Sequence, residues 1–330
     1  MKFAIVGSVL SIFLASVSSQ TTFPAPIAGS DETVVRDPSI FYNSDSKKYF
    51  VFSTGNNISI FTSPTLNGPW PEDDVGSVLP DCSVIDLPGN CVLWAPDISF
   101  NDGLYTLYYA VSTFGTQNSA IGVATSSSME PGTWTDLGEV ISSAPGDSYN
   151  TIDPNLISDS VGLQLVFGSY WDGMFQIDLS PGVNDQASPL PGNHLAGASG
   201  RPAEGAFVYK PTSQPFYYFF FSDGVTPVVG SPRPAAGTEY KVLVGRGADA
   251  QGPFFDELGN DLVSFTAGSL VLGSHDNVFA PGGQSIYADP ISGRDVIVYH
   301  YVKLSDPVGG PSYLGINYLD FSSGWPVVVA

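Results

Sequence analysis

The chain has 330 residues, with 32 Asp or Glu against 11 Lys or Arg, so its formal net charge is −21 at pH 7. The sequence offers no basic surface that could neutralise phosphates, which argues against a nucleic-acid partner, and a neutral substrate is expected because acidic polymers would be repelled. The 36 Gly, 27 Pro and 13% aromatic residues are typical of an all-β fold with many tight turns.

The first nineteen residues are predicted to be a secretory signal peptide. They contain Lys2, an apolar core too short for a comfortable membrane span, and small residues around Val17 and Ser19. A membrane anchor is the alternative, but no Lys/Arg cluster follows to stop translocation. Cleavage near Gln20 would leave residues 20–330 as a secreted, extracellular protein without a membrane partner.

Two cysteines fit an oxidising compartment. Cys82 and Cys91 lie in "DCSVIDLPGNC", where a Pro-Gly turn separates them, so a local disulfide is predicted, with two free thiols as the alternative. Asn57 begins the sequon "NNIS", which supports secretion only weakly because such short motifs often stay unmodified.

Five segments of the chain open in the same way, with a small or acidic residue, then Pro or Glu, then a short apolar run. Each contains two strand-like runs joined by a polar turn, and a third apolar run follows. In chain order they begin "RDPSIFYN", "APDISFND", "IDPNLISD", "AEGAFVYK" and "APGGQSIY". Their spacing of about fifty to seventy residues is close to the length of a four-stranded propeller blade with its loops.

The repeats predict an all-β protein, a five-bladed β-propeller that fills residues 20–330 as a single domain. A two-sheet sandwich also has many short strands, but it does not predict one opening motif five times. A closed propeller leaves no sheet edge in need of a partner, so a monomer is expected.

Acids recur at the openings of these repeats. In a propeller the first strand of each blade lines the central channel, so Asp37, Asp97, Asp153, Glu204 and the region around His275 are expected to converge. A single Asp-Pro pair is usually a turn, and a ring of acids that binds a cation is an alternative. Convergent carboxyls repel one another, so one can keep its proton and act as an acid while another acts as a base, as glycosidic bond cleavage requires.

The order of motifs along residues 20–330 resembles the arabinanases of glycoside hydrolase family 43. The motifs are "RDPSI", "WAPDI", "IDPNLI", "AEGAF", "SHDNVFAPGG" and the closing "GINYLDFSSGWPVV". Two further stretches, "STFGTQNSAIGVATS" and "GSYWDGMFQIDL", look like the second and third blades of that family. The resemblance implies hydrolysis of internal α-1,5-L-arabinofuranosidic bonds in arabinan, with inversion of configuration.

The resemblance also implies roles for three acids. Asp37 would be the general base that activates water and Glu204 the general acid, while Asp153 would raise the pKa of Glu204 and orient it. For an inverting enzyme the carboxyls of Asp37 and Glu204 should be about 6.5–9.5 Å apart, which leaves room for the water.

Further site residues follow from the same resemblance. The predicted substrate-binding residues are Arg36, Trp94, Asp97, Phe114, Ser169 and Trp171. The aromatic side chains would pack against arabinose rings, although tryptophan in a β-protein is as often a core residue. His275 matches a histidine that holds a metal, usually Ca²⁺, on the propeller axis; a structural histidine is the alternative, since Ca²⁺ prefers oxygen ligands.

The sequence departs from the family pattern at two positions. Arg36 stands where many relatives have histidine, and Ala206 stands where proline is common. An arginine beside Asp37 would lower the pKa of that carboxyl, which suits a base. Arg36 could also alter the subsite beside the base.

Other functions stay open from the sequence. An exo-acting arabinofuranosidase or a β-xylosidase of the same family is the main alternative; such relatives often carry an extra β-sandwich domain, and its absence after "GWPVVVA" favours an endo-acting enzyme. A non-catalytic carbohydrate-binding propeller is a third hypothesis, although all three acids are present.

Overall fold

The computed structural model describes residues 23–73, 75–179 and 182–330, and the predicted signal peptide 1–19 lies outside these ranges. The described residues form twenty β-strands in five antiparallel sheets of four strands each. Within the same ranges there is no helix of the length and apolarity that a membrane span needs.

Each sheet is one blade, with its strands adjacent in chain order. Blade 1 contains β1 (Ser39–Asn43), β2 (Lys48–Ser53), β3 (Ser59–Ser63) and β4 (Gly76–Ser77). Blade 2 contains β5 (Trp94–Asn101), β6 (Leu104–Val111), β7 (Ser119–Ser126) and β8 (Trp134–Ser143). Blade 3 contains β9 (Asn155–Ser158), β10 (Leu163–Phe167), β11 (Met174–Asp178) and β12 (Asn193–Ala196). Blade 4 contains β13 (Ala203–Tyr209), β14 (Tyr217–Asp223), β15 (Lys241–Gly247) and β16 (Ser269–Leu272). Blade 5 contains β17 (Val278–Asp289), β18 (Arg294–Lys303), β19 (Tyr313–Asp320) and β20 (Val327–Val329).

The first strands of the blades form a closed ring. Strand β1 contacts β5, β5 contacts β9, β9 contacts β13, β13 contacts β17, and β17 contacts β1 again. The prediction of a five-bladed β-propeller is confirmed. The predicted disulfide between Cys82 and Cys91 is also present.

The second strand of each blade is apolar on both faces because a neighbouring blade covers each face. In β14, Phe219 and Phe221 belong to the core cluster between blades 3 and 4, whereas Tyr218 and Phe220 belong to the cluster between blades 4 and 5. Successive strand residues point to opposite faces, so one continuous run such as "YYFFF" fills both interfaces. The second strands of the other four blades alternate in the same way. Each such buried side chain contributes about 1.5–3 kcal/mol to folding.

Four blades open with the same unusual backbone conformation. A non-glycine residue directly before a proline has a positive φ in blades 1, 2, 3 and 5: Asp37 (46°), Ala95 (46°), Asp153 (56°) and Ala280 (55°). Blade 4 has Gly205 with φ 65° in place of such a residue. Positive φ is uncommon outside glycine, so its recurrence defines one shared position at the entrance to each first strand. Of the four acids predicted to converge, only Asp37 and Asp153 occupy this position.

Two residues beyond the shared position, a polar side chain ties a blade to its successor. In blades 1, 2 and 3 it accepts a hydrogen bond from a backbone N–H of the next blade. These bonds run from Ile98 N to Ser39 Oγ (3.2 Å), from Leu156 N to Asp97 Oδ2 (2.7 Å) and from Val208 N to Asn155 Oδ1 (2.8 Å). The tie between blades 5 and 1 lies farther along the first strand, where the Ser285 hydroxyl donates to the carbonyl oxygen of Pro38 at 3.0 Å.

Candidate active site

A cavity of about 800 Å³ lies at the end of the propeller where the first strands begin. Residues at the openings of all five blades line it, together with loops that follow the second strands of blades 1 to 4. The carboxyl-bearing residues Asp37, Asp97, Asp153 and Glu204 all belong to this lining. The predicted convergence of these four acids is therefore present in the structure.

Asp37 is surrounded by groups that favour its ionised form. The Thr54 hydroxyl donates a hydrogen bond to Asp37 Oδ2 at 2.9 Å, and Arg36 Nε lies 3.7 Å from the same oxygen. His300 Nδ1 lies 3.3 Å from Oδ1. Withdrawal from water alone would raise the pKa of Asp37, but the pKa is lowered to about 2, chiefly by the positive charge of Arg36, and the hydrogen bond from Thr54 acts in the same direction.

The pKa values of Asp153 and Glu204 shift in the opposite direction to that of Asp37, because both are raised. Withdrawal from water and the neighbouring carboxyls of Glu204 and Asp37 raise the pKa of Asp153 well above its ordinary value. Withdrawal from water also raises the pKa of Glu204, against the opposing effects of Ser169 and Arg36. Because two neighbouring carboxyls titrate as a pair, this pair keeps a proton to a higher pH than either group would alone.

Two hydrogen bonds fix the acid pair. The Gly205 N–H donates to Asp153 Oδ2 at 3.0 Å, so the residue after Glu204 is held directly by Asp153. The Ser169 hydroxyl donates to Glu204 Oε2 at 2.6 Å, which leaves Oε1 as the oxygen that can carry a proton into the cavity. One cavity thus holds an ionised carboxylate and a proton-bearing carboxyl pair, the two partners that acid–base catalysis needs.

Residues 30–326 match the family model described as "Glycosyl hydrolases family 43". The chain belongs to this family. A relative from Aspergillus aculeatus, named arabinan endo-1,5-alpha-L-arabinosidase A, is 42% identical over 317 residues, which cover 96% of each chain.

Two solved structures share the fold at 28% sequence identity. An exo-1,5-alpha-L-arabinanase from a bovine ruminal metagenomic library superposes with a TM-score of 0.77 over 92% of this chain and 98% of its own. A Cellvibrio cellulosa alpha-L-arabinanase complexed with arabinohexaose superposes with a TM-score of 0.75 over 90% of this chain and 96% of its own.

The predicted aromatic binding residues of this family 43 protein lie around the acids. Trp94, Phe114 and Trp171 all line the cavity. Trp94 and Trp171 are half-buried, whereas Phe114 is 83% exposed on the loop after β6. An apolar ring that is open to solvent at a cavity rim can stack on the flat face of a sugar.

Arg36 and Ser169 also line the cavity, but their polar groups are engaged by the protein itself. Arg36 Nη1 donates to the Pro227 carbonyl at 3.2 Å and Nη2 donates to the Thr226 hydroxyl at 3.0 Å. Arg36 therefore joins the base region to the loop after β14. The Ser169 hydroxyl is occupied by Glu204, so its contact with a substrate stays a prediction.

Asp97 lines the cavity but does not occupy the shared position of its blade. The shared left-handed position of blade 2 is Ala95, and Asp97 lies two residues farther along, at the tie to the next blade. Its side chain is 4% exposed, and Oδ1 and Oδ2 accept hydrogen bonds from Asn155 Nδ2 and Leu156 N. Both carboxylate oxygens are therefore engaged by the protein itself, so a contact of Asp97 with a substrate stays a prediction.

His275 does not fit the predicted role of a metal ligand. It lies outside the residues that line the cavity, and its ring packs against Phe23. Nδ1 is 2.8 Å from the Gly273 carbonyl oxygen and Nε2 is 3.2 Å from the Pro24 carbonyl oxygen, so both ring nitrogens face backbone acceptors. Across residues 23–73, 75–179 and 182–330, no three His, Cys, Asp or Glu side chains group as metal ligands.

Thr54 and His300, which contact Asp37 directly, are not predicted from the sequence. Thr54 directly follows β2 and His300 lies in β18, so both belong to second strands or their ends and not to the blade openings. The one sequence signal is the histidine within the apolar run "VIVYHYV", where a buried polar group needs a reason.

Proposed function

We propose that this family 43 protein hydrolyses internal α-1,5-L-arabinofuranosidic bonds in arabinan with inversion of configuration. The observation that carries the proposal is the presence in one cavity of Asp37, with its pKa lowered to about 2, and the Asp153–Glu204 pair, with raised pKa values. The acidic chain suits a neutral polysaccharide. The name of the Aspergillus aculeatus relative and the arabinohexaose bound to the Cellvibrio protein support arabinan as that polysaccharide.

In the proposed mechanism Asp37 is the general base and Glu204 the general acid. The Asp37 carboxylate takes a proton from a water molecule while the water oxygen forms a bond to the anomeric carbon. Glu204 gives its proton to the glycosidic oxygen as the bond between that oxygen and the anomeric carbon breaks. The attack and the departure occur on opposite faces of the sugar, so the configuration inverts. The proximity of the Asp153 and Glu204 carboxyls keeps a proton on this pair, and Asp153 holds the backbone N–H of Gly205.

Endo action is supported by the name of the Aspergillus relative and by the shape of the cavity rim. Phe114 is 83% exposed on the blade 2 side, and Val229, on the loop after β14, is 72% exposed. Both residues line the cavity, so apolar surface for sugar rings extends from the acids to two different blades. Exo action is the second candidate, because a protein named an exo-1,5-alpha-L-arabinanase shares the fold.

Secretion and a monomeric state are proposed with this function. The Cys82–Cys91 disulfide supports an oxidising compartment, and the closed ring of blades supports a monomer.

The test is the size of products released early from linear α-1,5-arabinan, with xylan and sucrose as parallel substrates. We expect a ladder of short arabino-oligosaccharides from arabinan and no release from the other two. Arabinose alone would instead establish exo action, and release from xylan or sucrose only would overturn the proposed substrate.

A pair of variants separates catalysis from binding in the same assay. Glu204→Gln should lower kcat by about 10²–10⁴-fold, the range that a general acid contributes, while oligosaccharide binding persists. The matched control is Glu139→Gln, the same chemical change at an exposed position of β8 outside the cavity. Equal activity of the two variants would remove Glu204 from its proposed role.

A further inference from the structure

We propose that His300 is the positioning residue of Asp37: its neutral imidazole accepts the backbone N–H of Asp37 and thereby holds the carboxylate toward the cavity. The proposal rests on the proposed function only in treating Asp37 as the general base. His300 touches Asp37 and lies outside the lining of the cavity, so it would act through that residue and not on the sugar.

The ring atom that faces Asp37 is Nδ1. It lies 3.1 Å from the Asp37 backbone nitrogen, whose N–H points at it, and 3.3 Å from the carboxylate oxygen Oδ1. Burial lowers the pKa of His300 although Asp37 opposes that shift, so the ring is neutral at neutral pH. A neutral ring whose Nδ1 accepts a hydrogen bond carries its proton on Nε2.

The backbone that His300 holds is strained. Asp37 has a φ of 46°, and the proline that follows restricts it further. In blade 2 the equivalent Ala95 N–H is held by a side chain from the preceding blade, since it donates to Thr54 Oγ1 at 2.8 Å. His300, which lies in blade 5, holds the N–H of Asp37 in blade 1 in the same way. The difference is that Asp37 bears a carboxylate.

The carboxylate is closely packed on the side of His300. A Cβ at Gly283 would overlap both Asp37 Oδ1 and the His300 ring, so the glycine makes room for their contact. Gly283 is itself fixed because its N–H donates to Ser222 Oγ at 2.8 Å. On the other side, Oδ2 accepts from Thr54.

His300 also has a feature that its packing does not explain. The residue is 1% exposed, and its Nε2 has no hydrogen-bond partner among the described residues. A buried donor without a partner is rare and destabilising, so a leucine or phenylalanine at this position of β18 would pack at lower cost. The hydrogen bond from the Asp37 N–H to Nδ1 explains why a histidine occupies this position.

The test compares His300→Asn with His300→Leu. The two side chains have similar size and branching, but only asparagine places an acceptor oxygen where Nδ1 stands. We expect His300→Leu to lower kcat about 100-fold, because a small misplacement of a catalytic group costs that much, with KM changed less than about twofold. His300→Asn should stay within about fivefold of the wild type.

Equal kcat in His300→Leu and the wild type, or equal losses in two folded variants, would overturn the proposal. If His300→Leu does not fold, the asparagine variant and the ring tautomer decide. The chain has three histidines, so the ¹⁵N signals of His300 can be assigned from the spectrum of His300→Asn. We expect an unprotonated Nδ1 and a protonated Nε2 at neutral pH, and a protonated Nδ1 would overturn the proposal. This spectrum needs no substrate, so its outcome is independent of whether arabinan is hydrolysed.

Discussion

Asp37 in blade 1 and Asp153 in blade 3 occupy the same place in their blades, with φ values of 46° and 56° and a proline directly after each. Their pKa values nevertheless move in opposite directions. Asp37 faces Arg36 and Thr54, and its pKa falls to about 2. Asp153 is withdrawn from water and faces the carboxyl of Glu204, and both effects raise its pKa well above the ordinary value. The neighbouring side chains, and not the backbone position, therefore set the chemistry of each carboxyl.

The remaining blades show that the shared position is structural in origin. Blades 2 and 5 have Ala95 and Ala280 there, with the same positive φ and a following proline, and neither carries a reactive group. The strained conformation thus belongs to the blade and is not by itself a mark of catalysis. Two carboxyl groups at this repeated backbone position differ in chemistry because their neighbouring side chains differ.

The largest expected effect comes from removal of the carboxylate in blade 1. Asp37→Asn keeps the size of the side chain but cannot accept a proton, so kcat should fall by about 10²–10⁴-fold in a steady-state assay on arabinan. Asp102→Asn is the matched control, because Asp102 also has a positive φ but is exposed in the turn between β5 and β6. Comparable losses in both variants would show that the effect is one of folding and not of catalysis.

The equivalent substitution in blade 3, Asp153→Asn, should change the alkaline side of the pH profile of kcat/KM. Asp153→Asn removes a carboxyl that repels Glu204, so the pKa of Glu204 falls. A general acid is active while protonated, and the alkaline limb of kcat/KM should therefore move to lower pH while the acidic limb stays in place. If the alkaline limb does not move, Asp153 does not control the protonation of Glu204.

Substitution of Arg36 should move only the acidic limb of the pH profile of kcat/KM, which reports the ionisation of Asp37. Without the guanidinium the pKa of Asp37 should rise from about 2 toward the ordinary 3.8. A general base is active while ionised, so the acidic limb of kcat/KM in Arg36→Gln should move to higher pH. Arg36→Lys keeps the positive charge and loses the paired contacts with Thr226 and Pro227, so it should retain most of the wild-type limb. A wild-type acidic limb in Arg36→Gln would contradict the electrostatic account.

The smallest expected effect is at Asp97, which ties blade 2 to blade 3. Asp97→Asn loses one hydrogen bond and should lower the free energy of unfolding by about 1 kcal/mol, with KM unchanged. Asp97→Leu leaves the Leu156 N–H without its partner and should cost about 1–3 kcal/mol more. Thermal unfolding and KM measured on both variants check this. A large rise in KM without loss of stability would instead establish Asp97 as a binding residue.

The fold and the three acids could be predicted from the sequence because the opening motif recurs with every blade. The position of Asp97 could not be predicted from an acid beside a proline, since "RDP" and "APD" place the acid on different sides of it. Alignment on the proline itself would have matched Ala95 to Asp37 and revealed the tie position.

The histidines show a different limit. His275 lies next to a recognisable motif, but its ring nitrogens face backbone carbonyls, whereas His300 contacts Asp37 from a strand far along the chain. Contacts between a strand of blade 5 and the opening of blade 1 exist only because the ring closes, and nothing local in either sequence encodes them.

The most direct test of the contrast between the two aspartates is a ¹³C NMR titration of their carboxyl carbons, with Asp37→Asn and Asp153→Asn used to assign the signals. We predict that Asp37 titrates near pH 2 and that Asp153 titrates well above the ordinary 3.8, together with Glu204. Two aspartates that titrate at the same pH near 3.8 would contradict the account.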